Sequence, residues 1–153
     1  MQPRLNPFTV APDGYRAMSG LQAYANATGI EHSLIELVKT RASQINGCAF
    51  CIDMHVTDAV KAGESHARLH LLNAWSETDL YTPRERAALA WTEALTLVAE
   101  THVPDDVYEE ALRHFSEKEL VELSWVIVAI NGWNRMCVSF RVPPASAKKT
   151  AAA

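Results

Sequence analysis

The sequence predicts an all-helical domain. Apolar residues recur at spacings of three and four throughout, and no run alternates long enough to form a strand. Two capping boxes, Thr82-Pro-Arg-Glu85 and Ser116-Glu-Lys-Glu119, mark helix starts. At 153 residues the chain fits one domain. A domain of this size buries roughly 68–70% of its unfolded surface, enough for a core without cross-links.

A first helix follows Pro12-Asp13, uses Tyr15, Met18, Leu21 and Ala25 as its inner stripe, and stops at Gly29. A second runs from about Glu31 to Ile45 with Ile35, Val38, Ala42 and Ile45 inward. It ends at Asn46-Gly47, two residues that tolerate the left-handed conformation of a helix stop. Glu36 lies off the centre of that stripe, a position suited to the edge of a pocket. The third helix starts at about Cys48 and ends at Gly63, and a fourth covers about Ser65 to Trp75. Proline at the first position fixes the start of a fifth, which reaches about Ala99 with Ala88, Trp91, Leu95 and Val98 inward. After Thr101 to Pro104, a sixth turns Val107 or Tyr108, Ala111, Leu112 and Phe115 to the core. The second capping box opens a seventh that is apolar nearly all round from Leu120 to Ile130, so it belongs in the core or in a subunit interface. Beyond Pro143-Pro144 nothing remains to bury. Residues 1–142 therefore read as the domain and 143–153 as a disordered tail.

A composition of 48% hydrophobic and 21% charged residues is that of an ordinary globular protein. A net charge of −4 offers no basic field for nucleic acid or an anionic membrane, whereas a small neutral substrate is acceptable. The start, Met1-Gln-Pro-Arg-Leu-Asn-Pro-Phe8, lacks the apolar stretch of a signal peptide, and no later segment approaches a membrane span. A cytoplasmic protein is the expectation.

The chemistry concentrates in residues 36–55. Cys48 and Cys51 form a C-x-x-C pair, His55 follows the second cysteine by four residues, and Glu36 precedes the first by twelve. A helix start offers unpaired N–H groups and the positive end of the macrodipole, both of which favour thiolate over thiol. The spacing of three puts both sulfurs on one face, close enough for a disulfide, and His55 falls beneath Cys51. Folded back across the turn, Glu36 could orient His55 or take up its proton. In a reducing compartment such a pair is catalytic or metal-binding more often than a permanent cross-link.

Blander readings account for the other candidates. Zinc could use Cys48, Cys51 and His55 with His32 or His66 as a fourth ligand, although a structural site usually draws on a second closely spaced pair. His66 and His70 lack the glutamate of H-E-x-x-H and read as solvated or subunit-facing. His102 and His114 read as surface residues, and His32 could line the pocket. Tyr24, Trp75, Trp91, Trp125 and Trp133 read as core or interface. Asp53 is turned away from the Cys51–His55 face, and the unpaired Cys137, among Met136, Val138 and Phe140, reads as a buried inert thiol.

Glu36 followed by Cys48-Ala-Phe-Cys51-Ile-Asp-Met-His55 resembles the core of the AhpD-like alkylhydroperoxidases, within the wider carboxymuconolactone decarboxylase family. The likeness continues through Tyr81-Thr-Pro-Arg-Glu-Arg-Ala-Ala-Leu-Ala-Trp91 and Ile130-Asn-Gly-Trp-Asn-Arg135, and covers most of residues 30–140. It implies an AhpD-like domain of about seven helices, assembled as a homotrimer or homohexamer. It also implies reduction of a peroxide by Cys51, which stands beside the histidine, with Cys48 resolving the intermediate and meeting a thiol or dithiol reductant protein. The reverse assignment of the two cysteines stays open. Glu36 and His55 are implied as the proton relay, and no cofactor or metal is called for. AhpD enzymes often carry histidine just before the second cysteine. This chain has Phe50, so no relay through that position is implied. The alternatives are the lactone decarboxylase chemistry of the family's namesake, which does not depend on C-x-x-C, and a thiol-disulfide sensor without turnover.

Overall fold

A computed structural model describes residues 2–150, with side chains through residue 147. Among the described residues there are helices and no strands. In chain order they are α1 (Pro7–Val10), α2 (Pro12–Asn26), α3 (His32–Ile45), α4 (Ala49–Lys61), α5 (His66–Leu71), a 3-10 segment (Leu72–Glu77), α6 (Pro83–Thr96), α7 (Val98–Thr101), α8 (Asp105–His114), α9 (Glu117–Phe140) and α10 (Ala145–Thr150).

Helix α3 is the hub, packed against α4, α6 and α9 at once. Enclosure on several sides explains why every residue from Leu34 to Thr40 is buried, including Glu36 and Lys39. On one side Leu34, Ile35 and Val38 meet Ala88 and Trp91 of α6 and Leu123, Val126 and Ile127 of α9. On the other, Leu37 joins Ala59, Leu69, Leu72, Tyr81 and Leu89. A third apolar cluster, at the end that carries the dithiol, holds Ala42, Cys48, Cys51, Ile130 and Cys137.

Both capping boxes form as the sequence predicts, at Thr82–Glu85 and Ser116–Glu119. Arg84, just inside the first, bridges to Glu31 and Glu119 and lies 4.0 Å over the Phe115 ring, tying the starts of α3, α6 and α9 together. Helix α2 lies along α9, and Gly132 permits the approach: a Cβ there would stand 2.7 Å from Met18 Cε.

Several expectations change. Tyr15 and Val98, expected inward, are 46% and 50% exposed. Tyr108 and Leu112 also face outward, leaving Ala111 and Phe115 as the buried anchors of α8. The fourth helix tightens into a 3-10 segment at Leu72, with a kink at Ala74. The seventh predicted helix runs on to Phe140, where Arg141 adopts a left-handed cap. The segment expected as a disordered tail is helical at Ala145–Thr150, and the Ser146 N–H donates to Asp53 at 3.1 Å. Residues 151–153 of that expectation lie outside the described residues. No helix among the described residues is long and apolar enough to cross a membrane.

Candidate functional site

The site is built on the α3–α4 hairpin. Gly47, at φ +66°, makes the turn, and the Cys48 N–H donates to Ser43 O at 2.9 Å. This left-handed position favours glycine because a side chain there crowds the backbone. Cys48 is thereby the N-cap of α4, where its Sγ accepts the Cys51 N–H at 3.3 Å. An N–H aimed at a sulfur within a helix's first turn stabilises that sulfur as thiolate. Cys48 and Cys51 are joined as a disulfide with Cα atoms 5.4 Å apart, within the usual range.

Glu36, on the preceding helix, reaches across the hairpin. Its Oε2 accepts a hydrogen bond from His55 Nδ1 at 2.8 Å, and both side chains are buried. A carboxylate that occupies Nδ1 fixes the ring orientation and leaves Nε2 as the nitrogen available for proton transfer. Lys39 Nζ lies 3.8 Å from Glu36 Oε1 and donates to Asn26 at 3.1 Å, and exposed His32 approaches to 4.0 Å. Burial pushes the Lys39 ammonium below its ordinary pKa, and the negative charges of Glu36 and Asp58 oppose that shift.

Two cavities meet at the pair. A chamber of about 800 Å³ is lined by Cys51, His55, Glu36, Phe50 and Trp133. A recess of about 490 Å³ is lined by Cys48, Arg141, Val142 and Pro143. Phe50 and Cys137 line both. The chamber's outer wall is an aromatic cluster: Phe8 stands 5.3 Å from Tyr15 and 6.0 Å from Trp133, centroid to centroid. Trp133 Nε1 donates to Gln22 at 3.1 Å, which fixes α2 against α9 at this edge.

All four sequence-predicted residues come together. Cys51, His55 and Glu36 face one chamber, while Cys48 faces the other side. His32 joins the chamber, His66 and His70 stay exposed, and Trp133, expected in core or interface, is a chamber wall. The sequence reading passed over Lys39, although its place three residues after Glu36 puts it on the same helical face. It also passed over an amide network beneath the turn. Asn46 Nδ2 donates to Asn131 and Asn134, each at 2.9 Å, and Asn134 Nδ2 donates to Ser43 at 3.0 Å. The zinc alternative is altered by the geometry. The donor group that converges among the described residues is Cys48, Cys51 and Cys137, with sulfurs within 4.8 Å of one another, and His55 is not part of it.

Fold and site together define an all-α, AhpD-like protein with a C-x-x-C pair at a helix tip. Residues 12–94 match the carboxymuconolactone decarboxylase family, and the chain belongs to that family. It is 42% identical to the uncharacterized protein YdfG of Bacillus subtilis over 139 residues, covering 91% of this chain and 95% of that one. Its structure is similar to a protein of unknown function from Agrobacterium tumefaciens, ATU0492, proposed as an antioxidant defence protein AhpD. There the TM-score is 0.91 and identity 43%, over 94% of this chain and 98% of the other. The debrominase Bmp8 shares the fold, with a TM-score of 0.81 at 22% identity over 94% of this chain and 77% of that one.

Proposed function

We propose that this protein is a thiol-dependent peroxidase that reduces hydroperoxides through Cys51 and Cys48. The observation that carries the reading is the Glu36–His55 hydrogen bond placed in the same chamber as Cys51, at the start of α4. In the reduced enzyme His55 takes the Cys51 proton, with Glu36 holding the ring. The Cys51 thiolate attacks the distal oxygen of the hydroperoxide, the O–O bond breaks, and the alkoxide leaves as alcohol after protonation. Cys51 is then a sulfenic acid. Cys48 displaces water from it and restores the disulfide, whose two electrons are replaced by an external dithiol that itself becomes a disulfide. The recess beside Cys48 is the proposed side for that reductant. No cofactor enters the cycle.

The exposed apolar side chains Val121, Trp125 and Val128 share one face of α9, consistent with a homotrimer or homohexamer assembled through that face. A cytoplasmic location is proposed with it. The decisive experiment is steady-state consumption of hydrogen peroxide and cumene hydroperoxide with dithiothreitol, on wild type, Cys48→Ser and Cys51→Ser. Turnover that disappears in Cys51→Ser supports the reading. A single stoichiometric burst in wild type sinks it in favour of a sensor.

The chamber favours one second reading. Its volume and its aromatic wall of Phe8, Tyr15 and Trp133 suit a planar ring, and the debrominase Bmp8 has been captured with 2,3,4-tribromopyrrole. The same dithiol could reduce an aryl bromide: two thiols lose two electrons to form the disulfide, carbon gains hydrogen, and bromide departs. Bromide release from a bromopyrrole, with no consumption of peroxide, would select this chemistry.

A further inference from the structure

Cys137 is the one cysteine that neither reading uses. It sits on α9, is buried, and lines both the chamber and the recess. Its Sγ lies within 4.8 Å of the sulfurs of both Cys48 and Cys51. Its apolar cluster includes Ala42, Ile130, Phe50 and Trp133, and Arg141 lines the recess with it. Closing to the ~2.05 Å of a disulfide takes a displacement on the order of 3 Å, within reach of side-chain rotation about Cα–Cβ bonds.

We infer that Cys137 is a reserve resolving thiol, able to capture the Cys51 sulfenic acid when Cys48 is absent or already engaged. The step balances as the ordinary one does. The Cys137 sulfur attacks the sulfenic sulfur of Cys51, the hydroxyl leaves as water with the Cys137 proton, and a Cys51–Cys137 disulfide forms. The peroxide already consumed is the oxidant, and the same external dithiol reduces the product. The inference rests on the proposed peroxidase reading for its oxidant.

Its rate is set by burial, which pushes the Cys137 thiol up to about 11. The attacking thiolate is scarce at neutral pH, and the greater nucleophilicity of a basic thiolate offsets only part of that scarcity, leaving resolution slower by about a hundredfold. Cys48 therefore wins whenever it is free. The benefit of a slow second resolver is that Cys51 does not wait as sulfenic acid for a second peroxide to carry it to the irreversible sulfinic form.

The test uses the full-length Cys48→Ser protein, checked by circular dichroism. After one equivalent of cumene hydroperoxide, non-reducing peptide mapping by mass spectrometry should find Cys51 linked to Cys137, and dithiothreitol-supported turnover should persist about a hundredfold below wild type. Dimedone labelling of Cys51 without that linkage would overturn the inference. A parallel arm oxidises the same variant with diamide, which joins neighbouring thiols without peroxide. If wild type consumes no peroxide, the peroxidase reading has failed, and the presence or absence of the 51–137 linkage after diamide still decides whether the two sulfurs can pair. Mapping the single variant needs no substitution at residue 137, so the result stands even if Cys137→Ala does not fold.

Discussion

Cys51 and Cys48 are three residues apart and bonded to each other, yet they face different surroundings. Cys51 looks into a chamber with a buried acid–imidazole pair and an aromatic wall. Cys48 looks into a smaller recess framed by the end of α9 and the proline-containing segment after it. The N-cap explains the difference. A capping residue has extended backbone, and Cys48, at φ −87° and ψ 92°, sits outside the helix whose first turn carries Cys51. One turn of helix thus separates a chamber that holds an acid–imidazole pair from a recess at the end of α9, with Cys51 lining the first and Cys48 the second.

The largest expected effect breaks that asymmetry directly. Cys51→Ser should reduce hydroperoxide consumption to the uncatalysed background, while Cys48→Ser keeps a measurable remainder, and a stopped-flow peroxide assay separates them. Equal residual rates in both variants would mean that the chamber has no special claim on the attacking sulfur.

Next in size are Glu36→Gln and His55→Ala. Loss of a positioned general base typically costs at least about 10²-fold, so His55→Ala should slow peroxide reduction by roughly that factor, and Glu36→Gln, which keeps the base but loosens its ring, by less. Both should also shift the pH profile of iodoacetamide alkylation at Cys51 upward. Alkylation at Cys48 should move less, because its sulfur is served by the Cys51 N–H and not by His55. If neither profile moves, the relay is wrong while the fold is untouched.

A third perturbation addresses the support under the turn. Asn134 is fully buried between Asn46 and Ser43. Asn134→Ala takes the donor from the buried Ser43 hydroxyl and removes one of the two acceptors of Asn46, at a cost of about 1–3 kcal/mol. Urea unfolding should report that loss, and alkylation of the reduced protein should show both cysteines losing reactivity together, since they share the turn.

Local chemistry along the chain made much of this legible from sequence. The capping boxes and the Asn46-Gly47 stop are encoded within a few residues and the structure realises both, while the i, i+4 spacing of Cys51 and His55 leaves the two lining one chamber. Glu36 was legible because the helix carrying it had to double back at a marked turn. The two-cavity arrangement was not, because its walls come from segments far apart in sequence: Phe8, Trp133 and Pro143. Nor could periodicity settle Tyr15, whose helix covers the chamber edge instead of a filled core. Cys137 was legible as buried, but its distance to the pair depends on how α9 lies across α4. Nothing local encodes that.

The smallest effect sharpens the contrast between the reactive end of the fold and its anchoring end. Far from the dithiol, Glu119 closes the α9 capping box. It accepts the Ser116 N–H and hydroxyl, each at 2.8 Å, and Arg84 at 2.8 Å. Led by the Ser116 backbone bond, these contacts hold its carboxyl down to about 2 from the ordinary 4.5. A carboxyl lowered in the folded state contributes stability that is complete above its unfolded value and lost as pH falls through its folded one. Between pH about 5 and 2 wild type should therefore lose stability more steeply than Glu119→Gln, which keeps a side chain of similar shape but cannot titrate. Thermal melts across that window check it, and the two proteins should converge at the acid end. The alkylation profile of Cys51 should be the same in both, since the carboxylate that anchors α9 is not the one that serves the thiol. A shift of that profile in Glu119→Gln would show the two ends of the domain coupled through α9, and the separation drawn between chemistry and anchoring would fail.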